Sequence, residues 1–209
     1  GIPLGVLGQF YASSGLGKST TMLTVSKCLC RQGYEVWYVA IEPNIELAND
    51  MGLTSGDIAD KFRFISLQTY NQLEEVTRAF LASPGVLMVI DSITAVAPSE
   101  LSTGEKGIED SLPGLDARIR SNYLKGLNGL MNKYDKSIVY ITQTRANFDA
   151  GWGGDEEKPE GGSATQFYAG YRVRMKGSAR VKGTDNGDTT SGQVGHKGYY
   201  WTEKSRYGR

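Results

Sequence analysis

The chain has 209 residues, 39% of them hydrophobic, which suits one domain of α/β size with a real core. Its 23 basic and 23 acidic side chains cancel, so there is no global field for nucleic acid, and any such binding must use local patches or patches summed over an oligomer. No stretch reaches the ~18 apolar residues of a membrane span, no signal peptide is visible, and Cys28 and Cys30 are spaced for neither a disulfide nor a metal site; the expected compartment is a reducing cytoplasm.

In chain order, apolar runs predict strands at Gly8–Tyr11, Glu35–Ile41, Phe62–Ser66, Val86–Asp91, Ser137–Thr142, Tyr168–Lys176 and Gly198–Thr202. Helical periodicity predicts Lys18–Gln32, Ile45–Met51, Tyr70–Ala82 and Ala117–Tyr134. Strands separated by helices imply a mostly parallel central sheet flanked by helices. The later strands, with no helix expected between them, should run antiparallel and extend that sheet near the C-terminus. Ser99–Gly114 and Asn147–Gly162 lack apolar periodicity, and loops of that length in a compact domain are usually functional or disordered. The Gly-rich stretch Lys176–Gly198 reads as a hairpin loop region.

The run Ala12-Ser13-Ser14-Gly15-Leu16-Gly17-Lys18-Ser19-Thr20 carries the most chemistry. It follows a strand, opens a helix and fits G-x-x-x-x-G-K-[ST], with Ala12 in the place of the first Gly. Backbone N–H groups of such a loop form an anion nest, and the helix N-terminus adds its dipole. Ser13 to Thr20 therefore form the expected nucleotide cradle, with Lys18 reaching the phosphates and Ser19 ligating Mg²⁺. Asp91 ends the apolar strand Val86–Ile90 and is placed to hold Mg²⁺ through water. Glu42, at the end of another strand, is the candidate general base for water attack. Gln143 ends the strand Ser137–Thr142, where a neutral amide can bond a γ-phosphate and report it to the loop that follows.

Together with Gly1-Ile2-Pro3-Leu4-Gly5, Val89-Ile90-Asp91-Ser92, Ile141-Thr142-Gln143-Thr144-Arg145 and Gly161-Gly162-Ser163-Ala164-Thr165-Gln166-Phe167-Tyr168-Ala169, the P-loop falls in the order and spacing of RecA-type recombinases. The chain resembles the bacterial and phage branch of that family over nearly its whole length. The resemblance implies a RecA-like P-loop NTPase fold and an ATP- and Mg²⁺-dependent, DNA-stimulated ATPase. It also implies a filament (or ring) assembled on single-stranded DNA that pairs it with homologous duplex DNA. It matches Glu42 to the catalytic glutamate and Gln143 to the γ-phosphate sensor. Ser99–Gly114 and Asn147–Gly162 match two DNA-binding loops. Lys204 and Arg206 match cations that reach the neighbour's ATP, and Phe167 matches a position packed on the next subunit. The family's N-terminal helix and C-terminal domain have no counterpart here, so the expectation is a single core domain over 1–209.

The DNA-binding set expected from the residues is Arg118, Arg120 and Lys125 after the first loop, then Arg145 and Asn147 opening the second. Phe148, at a position where the family inserts an apolar side chain between bases, and Trp152 are candidates for stacking. Gly161 and Gly162 have backbones that can approach phosphates closely. Asp155, Glu156 and Glu157 would repel DNA, so their part of the loop is expected to point away. Two alternatives stay open: a RecA-fold hexameric helicase or motor, and an ATP-binding assembly regulator without strand exchange.

Overall fold

Every residue of strand β1 (Leu7–Ala12) is buried, as a strand must be that has neighbours on both sides and helices over both faces. The computed structural model describes residues 2–42, 45–98, 114–131, 133–147, 157–185 and 188–206, with side chains described outside 178–196. After β1 the elements are α1 (Lys18–Arg31), β2 (Val36–Ala40), α2 (Ile45–Asp50), β3 (Phe62–Ser66), α3 (Tyr70–Ala82), β4 (Leu87–Asp91) and α4 (Leu115–Met131). They continue with β5 (Ser137–Ala146), β6 (Glu157–Pro159), α5 (Gly162–Tyr168), β7 (Tyr171–Asp185) and β8 (Asp188–Ser205).

The sheet order is β3-β2-β4-β5-β1-β7-β8, with β6 paired to β5 off that path. Pairing is parallel from β3 through to β7 and antiparallel between β7 and β8. This is the α/β architecture expected from the sequence. Helix α1 covers one face, setting Met22, Leu23 and Cys30 against Phe10, Tyr38, Val89 and Ile141. Helices α3 and α4 cover the other, setting Leu73, Phe80, Leu124 and Met131 against Met88, Ile90 and Tyr140. Each such side chain contributes about 1.5–3 kcal/mol on burial, which holds the strand ends in fixed register. Thr69 starts α3 with a capping box closed by Gln72. Among the described residues no helix is long and apolar enough to cross a membrane.

Three details differ from the sequence expectation. The expected strand Tyr168–Lys176 begins as helix: α5 runs to Tyr168 and β7 starts at Tyr171. This short helix supplies the crossover that a parallel neighbour requires, so β7 lies parallel to β1, with Gly8 opposite Tyr171, and only β8 is antiparallel. The stretch 176–198 is the outer part of the β7–β8 ribbon, paired as far as Asp185 and Asp188. Strand β5 runs on to Ala146 because β6 pairs with its end.

Candidate nucleotide site and its surroundings

Strand β1 delivers Ala12 fully buried at its last position. Extended backbone there accepts a methyl group, which explains why Ala can stand in the place of the first motif Gly. The chain then turns through Gly15 (φ 74°) and Gly17 (φ 87°), the second being the N-cap of α1. A side chain with a Cβ would be strained at either. No side chain caps α1 and its first turn holds no acidic residue, so its N–H donors and positive dipole end are left for an anion. Lys18 is 8% exposed, and its Nζ donates to the carbonyls of Ala12 (3.1 Å) and Ser13 (2.9 Å). Burial pulls its pKa below the usual lysine value, against the opposing pull of the Asp91 carboxylate.

These groups border a cavity of about 330 Å³. Ser14, Gly15, Gly17, Lys18, Ser19 and Thr20 line one side, and Glu42, Asp91 and Gln143 the other, with Leu47 and Ser92. The convergence follows from topology. Parallel strands end on one edge, and the register sets Ala40 opposite Asp91 and Ala12 opposite Gln143. Asp91 Oδ2 accepts a 2.6 Å hydrogen bond from the Tyr38 hydroxyl. The Ser19 hydroxyl and the Asp91 carboxylate are hard oxygen donors suited to Mg²⁺ when phosphate and water oxygens complete its shell. Among the described residues no group of three or more His, Cys, Asp or Glu could hold a metal by itself.

Ser13 and Leu16 do not line the cavity. A Cβ built on Gly177 of β7 would lie 2.5 Å from Leu16 Cδ2, so Leu16 is seated directly on that glycine. Ser13 Oγ donates to Glu157 Oε1 (2.8 Å) and accepts from Thr144 Oγ1 (3.0 Å). Glu157 also meets Arg174 at 3.5 Å. The P-loop is thus tied directly to the β5–β6 hairpin that closes the base of the second loop. In that hairpin Arg145 lies opposite Lys158, and the carbonyl of Gln143 accepts from the Glu160 N–H at 2.7 Å. Next in the chain, Gly161 has φ 96°, and a Cβ there would meet Thr165 Cγ2 at 2.7 Å. Gly162 has φ 76° and opens α5.

Of the expected DNA-binding residues, Arg118, Lys125 and Arg145 are exposed. Arg120 is not placed as expected. It is 5% exposed, bonded to the Tyr70 hydroxyl at 3.2 Å and to Asp116. Two residues apart on a helix lie about 200° apart, so Arg120 points into the core while Arg118 points out. Asn147 is half-buried. Phe148, Trp152, Asp155, Glu156 and nearly all of the first loop lie outside the described residues. Phe167 is 65% exposed. Lys204 Nζ donates to the carbonyls of Gln166 (3.1 Å) and Phe167 (3.0 Å), and Arg206 to that of Phe167 (3.3 Å). Both cations therefore sit on the C-terminal carbonyls of α5, away from the cavity. Burial, with repulsion from Arg206 and Arg172, lowers the Lys204 pKa. Tyr38, Thr144, Glu157 and Lys158 gain their relevance only from strand register, which no local motif signals.

A family profile described as the RecA N-terminal domain matches residues 1–197. The Protein RecA of Bordetella avium (strain 197N) is 30% identical over 188 residues, covering 88% of this chain and 51% of that protein. The Protein RecA of a Nitratiruptor species is 28% identical over 184 residues, covering 87% and 52%. The chain thus spans about half the length of these relatives. In fold it is similar to a KaiC-like protein, PH0186, from Pyrococcus horikoshii OT3, with TM-score 0.61 and 18% identity over 99% of this chain and 82% of that one. On the family match and these relatives, the chain belongs to the RecA family of ATPases.

Proposed function

We propose that this chain is the ATPase core of a DNA-strand-pairing protein. It binds ATP with Mg²⁺ beside Lys18, hydrolyses it in response to single-stranded DNA, and assembles so that each site is completed by the next subunit. The observation that carries this reading is the convergence of Gly15, Gly17, Lys18, Ser19, Glu42, Asp91 and Gln143 on one cavity. Lys204 and Arg206 stand elsewhere on the same chain.

The loop amides and Lys18 bind the phosphates. Ser19 and Asp91 hold Mg²⁺, which supplies charge neutralisation on the phosphate oxygens. Glu42 takes the proton of the attacking water. The Gln143 amide bonds the γ-phosphate, and its main chain passes that state to Glu160 and the hairpin. Lys204 and Arg206, supplied by a neighbour, stabilise charge that develops in the transition state. Such a head-to-tail contact generates a filament or a ring.

DNA binds along Arg118, Lys125, Arg145 and Asn147, with Phe148 and Trp152 stacking on bases and the Gly161 and Gly162 amides at phosphates. Membership of the RecA family is what supports the reading that this chemistry serves strand pairing with homologous duplex DNA, which we place in a cytoplasmic setting.

The test is ATP turnover with and without single-stranded DNA, for the native chain and for Lys18→Ala. Stimulation by DNA, lost in Lys18→Ala, is the expected result. Turnover that needs duplex unwinding would instead assign a motor, and tight ATP binding with no turnover would assign an assembly regulator.

A further inference from the structure

Tyr38 lies in the middle of β2 and is 2% exposed. Its ring packs against two rings of β3, Phe62 (centroids 6.2 Å apart) and Phe64 (6.0 Å, planes 8° apart). There the phenol donates to Asp91 Oδ2 at 2.6 Å, with the Ser19 side chain beside it. One hydroxyl therefore holds one of the two oxygen groups assigned above to Mg²⁺ and lies next to the other.

The proton arrangement is determined by chemistry. A serine hydroxyl that gives a lone pair to a cation still needs an acceptor for its proton. The Tyr38 oxygen is the acceptor next to it, and Tyr38 itself keeps its proton and donates a hydrogen bond to the Asp91 carboxylate. Burial and the neighbouring carboxylate push the Tyr38 pKa far above the usual tyrosine value, so the phenol stays a donor. Hydrogen bonds in such a chain polarise one another. Groups that orient metal ligands from behind typically affect metal affinity by 10–100-fold, on the order of magnitude known for outer-shell partners.

We propose that Tyr38 is a positioning residue for the cation: its phenol orients the Ser19 hydroxyl and the Asp91 carboxylate as a pair, and so sets how much Mg²⁺ strengthens nucleotide binding. This rests on the nucleotide reading above.

The experiment titrates a fluorescent ADP analogue into the native chain, Tyr38→Phe, Asp91→Asn and the double variant, each with Mg²⁺ and with EDTA. Phe keeps the ring packed against Phe62 and Phe64 and removes one oxygen. The expected result for Tyr38→Phe is an EDTA affinity within about twofold of native and a Mg²⁺ enhancement reduced about tenfold. In the Asp91→Asn background the Tyr38 change should add little, because the two act through one chain of bonds. An unchanged Mg²⁺ enhancement in Tyr38→Phe overturns the proposal. So does an equal loss of affinity with Mg²⁺ and EDTA, which marks a purely structural tyrosine. If the native chain binds no nucleotide under either condition, the nucleotide reading fails first and the proposal with it.

Discussion

The cavity beside the P-loop and the outer edge formed by α5 and β8 both carry residues that the family resemblance ties to ATP chemistry, yet they are built differently. In the cavity, Lys18 is 8% exposed and faces residues delivered by the buried strands β2, β4 and β5. At the outer edge, Phe167 is 65% exposed, and Lys204 and Arg206 share its carbonyl oxygen. The first region is preorganised by the core. The second is a surface feature whose two cations are bonded to helix carbonyls, next to Glu203, which pairs with Arg172. The cavity thus combines one buried lysine with two carboxylates, Glu42 and Asp91. On the reading proposed above, Lys204 and Arg206 add positive charge to a neighbour's site at the moment of bond breaking, beyond what Lys18 and Mg²⁺ supply.

The difference can be broken most sharply by removing the outer cations. Replacing Lys204 and Arg206 together by Ala should lower DNA-stimulated turnover about 10³-fold, the scale of a charge supplied in trans. Nucleotide affinity measured on dilute chain should stay within about twofold. A matching loss of affinity would mean that these residues support their own chain's cavity. Glu42→Gln is expected to lower turnover about 10²–10³-fold while leaving nucleotide affinity nearly unchanged, as befits a base that does not bind phosphate. Single-turnover kinetics beside a binding titration checks it.

Arg118 and Arg120 make a finer contrast within one helix. Arg120→Ala removes the partner of Tyr70 and Asp116 and should cost about 2–3 kcal/mol of stability in thermal melts. Arg118→Ala, at an exposed position, should leave melting unchanged and weaken single-stranded DNA binding with a shallower salt dependence. The smallest effect is expected at Ser13. Ser13→Ala removes the bond to Glu157, worth about 1–2 kcal/mol for a partly buried bond to a charged group. The DNA concentration for half-maximal stimulation should rise several-fold while nucleotide affinity holds.

How much of this was legible in the sequence follows from which links are local. Lys18, Asp91, Glu42 and Gln143 each sit next to an apolar run, and chain order alone places their strand ends on one edge. Helix α5 was hidden because it is seven residues long and opens on two glycines with positive φ, which read as loop. Hiding that helix also hid the parallel placement of β7. The spacing of Arg118 and Arg120 already separates them around the helix, so the inward turn of Arg120 could have been read. Tyr38 could not, since its partner Asp91 is 53 residues away and only the β2–β4 register brings them together.

The most direct test of the shared site mixes two inactive variants. Lys18→Ala chains keep Lys204 and Arg206 but have a disabled cavity. Chains with Lys204 and Arg206 both changed to Ala keep the cavity but lack the outer cations. If each site takes its cavity from one chain and its cations from the next, co-assembly on single-stranded DNA restores turnover at interfaces where an intact cavity meets intact cations. The predicted result is ATP hydrolysis by the mixture well above the sum of the two variants measured alone. Hydrolysis no greater than that sum would contradict the account.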